Sequence, residues 1–137
     1  MIYAERIMTD FIELITADEY FKGIQILRAY PGGIKSTLLE NAVVAVGLKE
    51  INVEDSSLGE SVKTGTISVF ANIYVPYSFD KSNFEKIVFR ICRNVAEFNI
   101  VSVNISEITA NSASECFVMK VVFTFNDELC FRDDEDE

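Results

Sequence analysis

Hydrophobic residues recur along this chain with two periodicities, one typical of helices and the other typical of strands. Between residues 2 and 21, apolar side chains return at every third or fourth position, which predicts an amphipathic helix. Thr16-Ala17-Asp18-Glu19 has the form of a capping box, so we expect the helix to break there and restart as a short turn before Gly23. A second capping box at Ser82 precedes the apolar stripe of a second predicted helix, formed by Phe84, Ile87, Val88, Ile91, Cys92 and Val95.

Three segments between these helices have the patterns of strands. Residues 24–30 predict a short strand, which the turn residues Pro31-Gly32-Gly33 end. The near-continuous apolar run within residues 41–51 predicts a strand that is covered on both faces. Residues 62–77 alternate strictly, so we expect one face of a sheet to carry Ile67, Val69, Ala71, Ile73 and Val75.

Two further strands are predicted after the second helix. Residues 100–108 and 115–125 both alternate, and a turn at Asn111-Ser112 would join them as an antiparallel hairpin. Three apolar side chains of the first of these strands are expected to face inward: Val101, Val103 and Ile105.

The predicted order is therefore helix, strand, strand, strand, helix, strand, strand. This order predicts an α+β fold of two layers, with a mixed or mainly antiparallel sheet of four to five strands and both helices on one face. We expect residues 1–126 to form a single domain and residues 127–137 to form an acidic, flexible tail.

Composition agrees with one compact core and disfavours a nucleic-acid surface. The chain has 137 residues, of which 49% are apolar and eleven are Phe, which is ample for one core. Its formal net charge is −10, and the five acids of residues 133–137 supply half of that excess. Because nucleic-acid affinity comes mainly from Lys and Arg, we expect no direct nucleic-acid recognition.

The cysteines and the apolar runs bear on the compartment. Cys92, Cys116 and Cys130 are odd in number and widely spaced, which fits neither a disulfide framework nor a paired-cysteine motif. A reducing compartment is the better match. Acidic residues interrupt the first apolar positions, and no apolar run approaches the roughly 18 residues of a membrane helix. We therefore expect a soluble cytoplasmic protein that has no membrane partner.

The residue types that most often carry catalysis are scarce. The chain has no histidine, so a cysteine such as Cys92 lacks its commonest base, and its position on an apolar stripe favours a packed thiol. Glu107 and Glu115 flank the last predicted turn and could approach each other as an acid/base pair. Carboxylates at strand ends are more often solvated, and that is the interpretation we prefer.

Two segments superficially resemble ligand sites. Gly32-Gly33-Ile34-Lys35-Ser36-Thr37 is similar to a phosphate-binding loop, yet Ile34 separates the lysine from the glycine and no long helix follows. The acids of residues 133–137 could attract Ca²⁺, but they lack a loop with spaced ligands. The sequence therefore predicts no catalytic residue, no cofactor and no metal site, and we do not expect an enzyme.

Surplus apolar residues point instead to an interaction surface. On the face of the sheet opposite the expected helices, the alternation places four large apolar side chains: Phe70, Tyr74, Val118 and Val122. Our preferred interpretation is that another subunit or a protein partner covers them. The alternative is that the first helix or a loop of the same chain does so.

Several short segments of the sequence resemble segments of small proteins from long-tailed bacteriophages and prophages. They are Arg28-Ala29-Tyr30-Pro31-Gly32-Gly33, the apolar run within residues 41–48, Ile73-Tyr74-Val75-Pro76-Tyr77 and the final hairpin. Together these are most similar to tail terminator, or tail-completion, proteins. The likeness extends from the first helix to about Phe125.

This resemblance implies a small α+β subunit that assembles into a ring, commonly a hexamer. The ring would lie at the head-proximal end of the tail tube, stop its growth and join the head connector. The implied partners are further copies of the chain, the tail tube protein and head connector proteins. The implied location is the virion tail, assembled in the bacterial cytoplasm.

Two functional hypotheses follow. In the first, the chain is a structural tail protein of a phage or prophage that acts by forming a ring. In the second, it is a small intracellular protein-binding or adaptor module without virion association. The size of the assembly separates them, because the second hypothesis predicts a monomer or a dimer.

Overall fold

The computed structural model describes residues 2–3, 6–28, 41–53, 62–80, 82–112 and 115–130. Within these residues the chain forms two α-helices, one short 3-10 turn and seven strands. The helices are α1 (Ile7–Thr16) and α2 (Ser82–Asn94), and the 3-10 turn is Glu19–Phe21. The strands are β1 (Ile2–Tyr3), β2 (Gln25–Arg28), β3 (Val43–Val53), β4 (Val62–Pro76), β5 (Ile100–Ile105), β6 (Thr109–Asn111) and β7 (Cys116–Cys130).

All seven strands belong to one mixed sheet that is five strands wide. β4 and β7 form its long antiparallel centre, paired without interruption from Val62 with Cys130 to Pro76 with Cys116. β3 lies antiparallel to β4, and β2 adds to β3 in parallel. The other side of β7 is shared end to end by β6, β5 and β1, of which β1 is parallel and the other two are antiparallel.

Both helices cover the same face of the sheet. α1 packs over β2 and β3, and α2 packs over β4 and against α1. The buried core lies between these layers, and Phe11 of α1 contacts the aromatic rings of Phe98 and Phe123, each with its centroid 5.7 Å away. The inward residues predicted for residues 62–77 are all in this core: Ile67, Val69, Ala71, Ile73 and Val75.

The predicted α+β class and the predicted order of its main elements are confirmed. The run from Val43 to Gly47 is buried at every position, as expected for a strand covered on both faces. Two short strands, β1 and β6, were not predicted. The last strand is longer than expected, since it continues past Phe125 to Cys130 in register with β4. The boundary predicted at residue 127 is therefore wrong, and residues 127–130 belong to the sheet.

The break after the first helix is confirmed, but the capping residue is different. α1 ends at Thr16, and the following 3-10 turn is capped by Asp18, whose Oδ1 accepts a hydrogen bond of 3.0 Å from the Tyr20 N–H. At the start of α2, Asp80 rather than Ser82 provides the cap, since its Oδ1 accepts from the Ser82 N–H at 3.0 Å. In both places, the capping side chain is an aspartate instead of the predicted hydroxyl residue.

The inward residues predicted for residues 100–108 are only partly right. Val103 pairs with Phe123 and packs against the core. Val101 is 54% exposed, because the ladder shifts register between Ile100 and Ser102 and interrupts the alternation. Ile105 pairs with the buried Val121 but is itself 56% exposed. Strand β5 therefore leaves apolar surface uncovered.

Candidate functional site

The four residues predicted to form an interface lie on the face of the sheet opposite the helices, as expected, but two of them are already buried. Phe70 is 3% exposed and Tyr74 is 7% exposed within the single chain. Val118 and Val122 are half-buried, and Val118 packs against the cluster that contains Tyr74. The Nζ of Lys120 also lies 5.5 Å from the centre of the Phe70 ring. Phe70 and Tyr74 are thus not free surface in one copy, and their role between subunits remains a prediction.

A different apolar surface is open. A groove of about 800 Å³ runs between α2 and the edge of the sheet formed by β5 and the residues that follow it. We call it the α2–β5 groove. Its apolar lining consists of Phe84, Val88, Phe89, Cys92, Ile105, Ile108 and Met119. Phe89, at 67%, and Ile105, at 56%, are the two most exposed large apolar side chains of the described chain, and both line this groove.

The width of the sheet explains why the groove exists. Each helix is about 10 Å wide and neighbouring strands are about 4.8 Å apart, so two helices cover roughly four strands. This sheet is five strands wide, and α1 lies over β2 and β3 at the far side. The β5–β6 edge is therefore only partly covered within the described part of the chain: Val103 packs against the core, whereas Ile105 and Ile108 are exposed.

Charge is distributed unevenly around Phe89. Lys86 and Arg93 lie one turn before and one turn after it, so they flank it on the helix surface. Both are exposed, and neither forms an ion pair with a described residue. Glu85 is the charged residue of the groove lining, and Glu107 lies exposed between Ser106 and Ile108, which also line the groove. A smaller hollow of about 470 Å³, lined by Tyr20, Glu85, Lys86, Phe89 and Arg90, lies on the other side.

The flank of α2 that faces α1 is closed by a polar cluster, which we call the Asp18 clamp: Asp18, Tyr20, Arg90 and Asn94. Arg90 donates to both oxygens of Asp18, from Nε to Oδ2 at 3.0 Å and from Nη2 to Oδ1 at 2.8 Å. The Asn94 Nδ2 adds a third side-chain donor at 3.0 Å. The Arg90 guanidinium also lies 5.2 Å from the centre of the Tyr20 ring. The clamp joins the turn after α1 to the middle of α2.

Electrostatics in the clamp favour the charged carboxylate. Hydrogen bonds from Arg90, from the Tyr20 N–H and from Asn94 lower the pKa of Asp18 from 3.8 to about 2. Only 12% of the Asp18 side chain is exposed. A carboxylate that accepts this many donors holds two helical segments together, so the clamp has a structural explanation.

The residues considered for catalysis are dispersed. Glu107 and Glu115 are both exposed. Burial raises the pKa of the Cys92 thiol, which lies half-buried in the α2–β5 groove, and burial also raises the pKa of Cys116. The glycine-containing segment 32–37 and the acids 133–137 lie outside the described residues.

The described residues contain neither a cluster of metal ligands nor a helix that could cross a membrane. No three Cys, Asp or Glu side chains there are grouped as metal ligands would be. Neither α1 nor α2 has the length and apolar content that crossing a membrane requires.

Comparison with protein-family models gives no match, and comparison with curated protein sequences gives none either. The α2–β5 groove is therefore characterised by its own residues. Sequence reasoning missed its main residue, Phe89, because the apolar stripe of α2 was defined by the positions that face the core. The signal was present in the pattern: a large aromatic residue lies between Lys86 and Arg90 on the polar side of an amphipathic helix.

Proposed function

We propose that this protein is a structural subunit that assembles into a ring and caps the tail tube of a bacteriophage or prophage. The observation that carries the self-assembly part is the α2–β5 groove. There Phe89, the most exposed aromatic side chain among the described residues, lies beside two exposed aliphatic ones, Ile105 and Ile108. Contiguous apolar surface of this kind marks sites of protein association. The tail-tube part rests on the resemblance of the sequence to tail terminator proteins.

The net charge of the chain is compatible with this role. A ring through which DNA passes must not retain it, and a protein with a net charge of −10 repels phosphates. In this proposal, the ring stops tube growth, contacts the tail tube protein on one side and contacts head connector proteins on the other. It would act in the virion tail after assembly in the bacterial cytoplasm, without catalysis or a cofactor.

The groove also favours a second candidate function. A concave apolar surface of about 800 Å³ could hold a short segment of a partner, as an intracellular adaptor module would. The two functions differ in symmetry, because an adaptor needs no further copies of itself. They also differ in virion association.

The test is the size and shape of the full chain. Sedimentation velocity at several protein concentrations, followed by negative-stain electron microscopy, should show closed rings. Added to preformed tail tubes, the protein should bind at one tube end and stop elongation. A strict monomer or dimer that binds no tail tube would overturn the ring proposal and favour the adaptor.

A further inference from the structure

Both lateral edges of the sheet are open within the described part of the chain. β5 pairs with β7 and with no other described strand, and β2 pairs only with β3. An unpaired edge presents a row of backbone N–H and C=O groups, which another extended segment can satisfy in regular order. The sheet therefore offers two places for strand addition, one beside the α2–β5 groove and one beside α1.

The sequence of β5 lacks the residues that usually protect an edge strand. It reads Ile-Val-Ser-Val-Asn-Ile, with neither a charge nor a proline. Charged residues, prolines and bulges are the usual means of preventing edges from pairing. The one register shift lies at its start, between Ile100 and Ser102, and residues 102–105 pair regularly with β7. This regular stretch is as long as β2, which has 4 residues.

The directions of the two edge strands are complementary. β5 is antiparallel to β7 and β7 is antiparallel to β4, so β5 runs in the same direction as β4. β3 is antiparallel to β4 and β2 is parallel to β3, so β2 runs in the opposite direction. When two copies lie side by side with their helices on the same face, β5 of one therefore meets β2 of the other as an antiparallel pair. Antiparallel pairing is the slightly more stable kind.

The spacing of the layers favours β2 over a second β5 as the added strand. With β2 beside β5, α1 of the second copy lies about three strand widths, or about 14 Å, from α2. With a second β5 there, the nearest helix is the other α2, about four strand widths, or about 19 Å, away. Packed helices are about 10 Å apart, so only the first arrangement leaves a gap that side chains such as Phe89 and Ile105 can fill.

Charge also favours β2. Glu85 is the charged residue of the groove lining, and Glu107 lies exposed nearby. Arg28 is the charged residue of β2, and its Nη2 donates to the neutral Thr9 Oγ1 of α1 at 2.7 Å, which places it on the helix side of the sheet. Arg28 is exposed, and no described carboxylate forms an ion pair with it. β2 would thus bring a positive charge to the side of the β5 edge where these acids lie.

We propose that β5 of one copy pairs antiparallel with β2 of a second copy, so that the sheet continues from copy to copy. α1 of the second copy then lies beside the α2–β5 groove and covers Phe89 and Ile105. The inference rests on the proposed self-assembly and specifies its contact. Because each contact uses different edges of the two copies, it is head-to-tail, and such contacts propagate until a ring closes.

The experiment uses two variants, each with one edge blocked by lysines, which natural sheets place on edges to prevent pairing. One variant carries Ser102→Lys and Asn104→Lys on β5. The other carries Gln25→Lys and Leu27→Lys on β2. All four of the replaced side chains are exposed, so the fold should stay intact. Equal thermal midpoints of the variants and the parent chain show that each one is folded.

We expect each variant alone to associate at least about tenfold more weakly than the parent chain in sedimentation velocity. Mixed together, the two variants should form a one-to-one complex that does not grow, because each retains one of the two edges. The matched control is Ala17→Lys with Ala96→Lys, which adds the same charge at exposed positions outside the strands. It should associate as the parent chain does.

Amide hydrogen exchange tests the same contact without any substitution. Exchange of residues 100–105 and of residues 25–28 should both be several-fold slower at a concentration where the parent chain associates than in the diluted monomer, because pairing satisfies the N–H groups of both edges. Protection of residues 100–105 alone would mean that another segment, such as a second β5, covers that edge, and it would overturn the inference.

The remaining outcomes separate this inference from the proposed function. If the parent chain forms rings while neither edge is protected, the edge-pairing inference is wrong and the ring proposal stands. If the mixed variants pair and both edges are protected, but the parent chain grows into open filaments, the edge-pairing inference stands and the ring proposal fails. A mixture without a one-to-one complex overturns the edge-pairing inference, and a parent chain that remains a monomer overturns both.

Discussion

The two flanks of α2 differ in what lies beside them. On the side of α1, Arg90 and Asn94 are held by Asp18, and the buried stripe continues into the aromatic core around Phe11. On the side of β5, the helix borders a groove in which Phe89 and Ile105 are largely exposed. The same helix is thus closed where it meets another helix and open where the sheet extends beyond it. The difference teaches that its apolar residues belong to two classes, one that stabilises the monomer and one available for association.

The largest difference in the free energy of unfolding should be found between single substitutions of two phenylalanines on this helix. Phe84 is 1% exposed and Phe89 is 67% exposed, so the same substitution tests both classes. We expect Phe84→Ala to lower the free energy of unfolding by about 3–5 kcal/mol, since it removes a buried aromatic ring. Phe89→Ala should change it by about 0.5 kcal/mol or less, as at other exposed positions. Urea unfolding followed by circular dichroism measures both.

Association gives the second measurement at Phe89. Phe89→Ala should weaken self-association measured by sedimentation velocity, although it leaves the free energy of unfolding nearly unchanged. Equal losses of stability at the two positions would contradict the division of the helix into a closed and an open flank.

The next effect tests the closed flank. Arg90→Lys keeps the charge but removes the two-pronged contact with Asp18, because an ammonium group cannot donate to both oxygens in that planar geometry. We expect a loss of stability smaller than that of Phe84→Ala and larger than that of Phe89→Ala, measured by urea unfolding. Lys86→Arg on the same helix is the matched control and should have no effect. Unchanged stability of Arg90→Lys would show that the clamp is dispensable.

The sequence predicted the closed flank better than the open one. Helical periodicity located the buried stripe of α2, and the alternation of residues 62–77 located the core face of β4, since both patterns record which side of an element is apolar. They do not record what covers that side. Phe70 and Tyr74 were correctly placed on the second face, yet their burial within the chain could not be read from the alternation.

Long-range pairing accounts for the other differences. Asn126, Asp127 and Glu128 have poor strand propensity, but their backbones pair with Thr66, Gly65 and Thr64 of β4, so the ladder extends where the local sequence would end it. The α2–β5 groove arises in the same way, from the number of strands beside β7. A five-strand width under two helices is a property of the whole topology, which no local pattern records.

Acid should weaken the clamp selectively. Because the pKa of Asp18 is lowered in the folded protein to about 2 from 3.8, its contribution to stability is complete above about pH 4 and is lost as pH falls towards 2. Asp18→Asn cannot titrate, so its unfolding free energy should depend less steeply on pH between 4 and 2. Urea unfolding across this range measures the slopes, with Asp10→Asn, at an exposed ion pair with Arg6, as the control. Parallel slopes for the parent chain and Asp18→Asn would show that this carboxylate does not titrate anomalously.

The smallest expected effect is on the rate at which Cys92 reacts with a maleimide, which reports whether the open flank of α2 is covered. Burial raises the pKa of this half-buried thiol, so it is mostly protonated at neutral pH and should react slowly with a maleimide, at a rate that increases with pH. The measurement uses the Cys130→Ser chain, in which the other remaining thiol, Cys116, is fully buried and should not react. If another copy occupies the α2–β5 groove, labelling of Cys92 should be several-fold slower at a concentration where the chain associates than in the same chain diluted until it is a monomer. Urea should abolish the difference, because unfolding exposes every thiol equally. Equal rates in the two folded samples would mean that association takes place on another surface and that the groove remains open in the assembly.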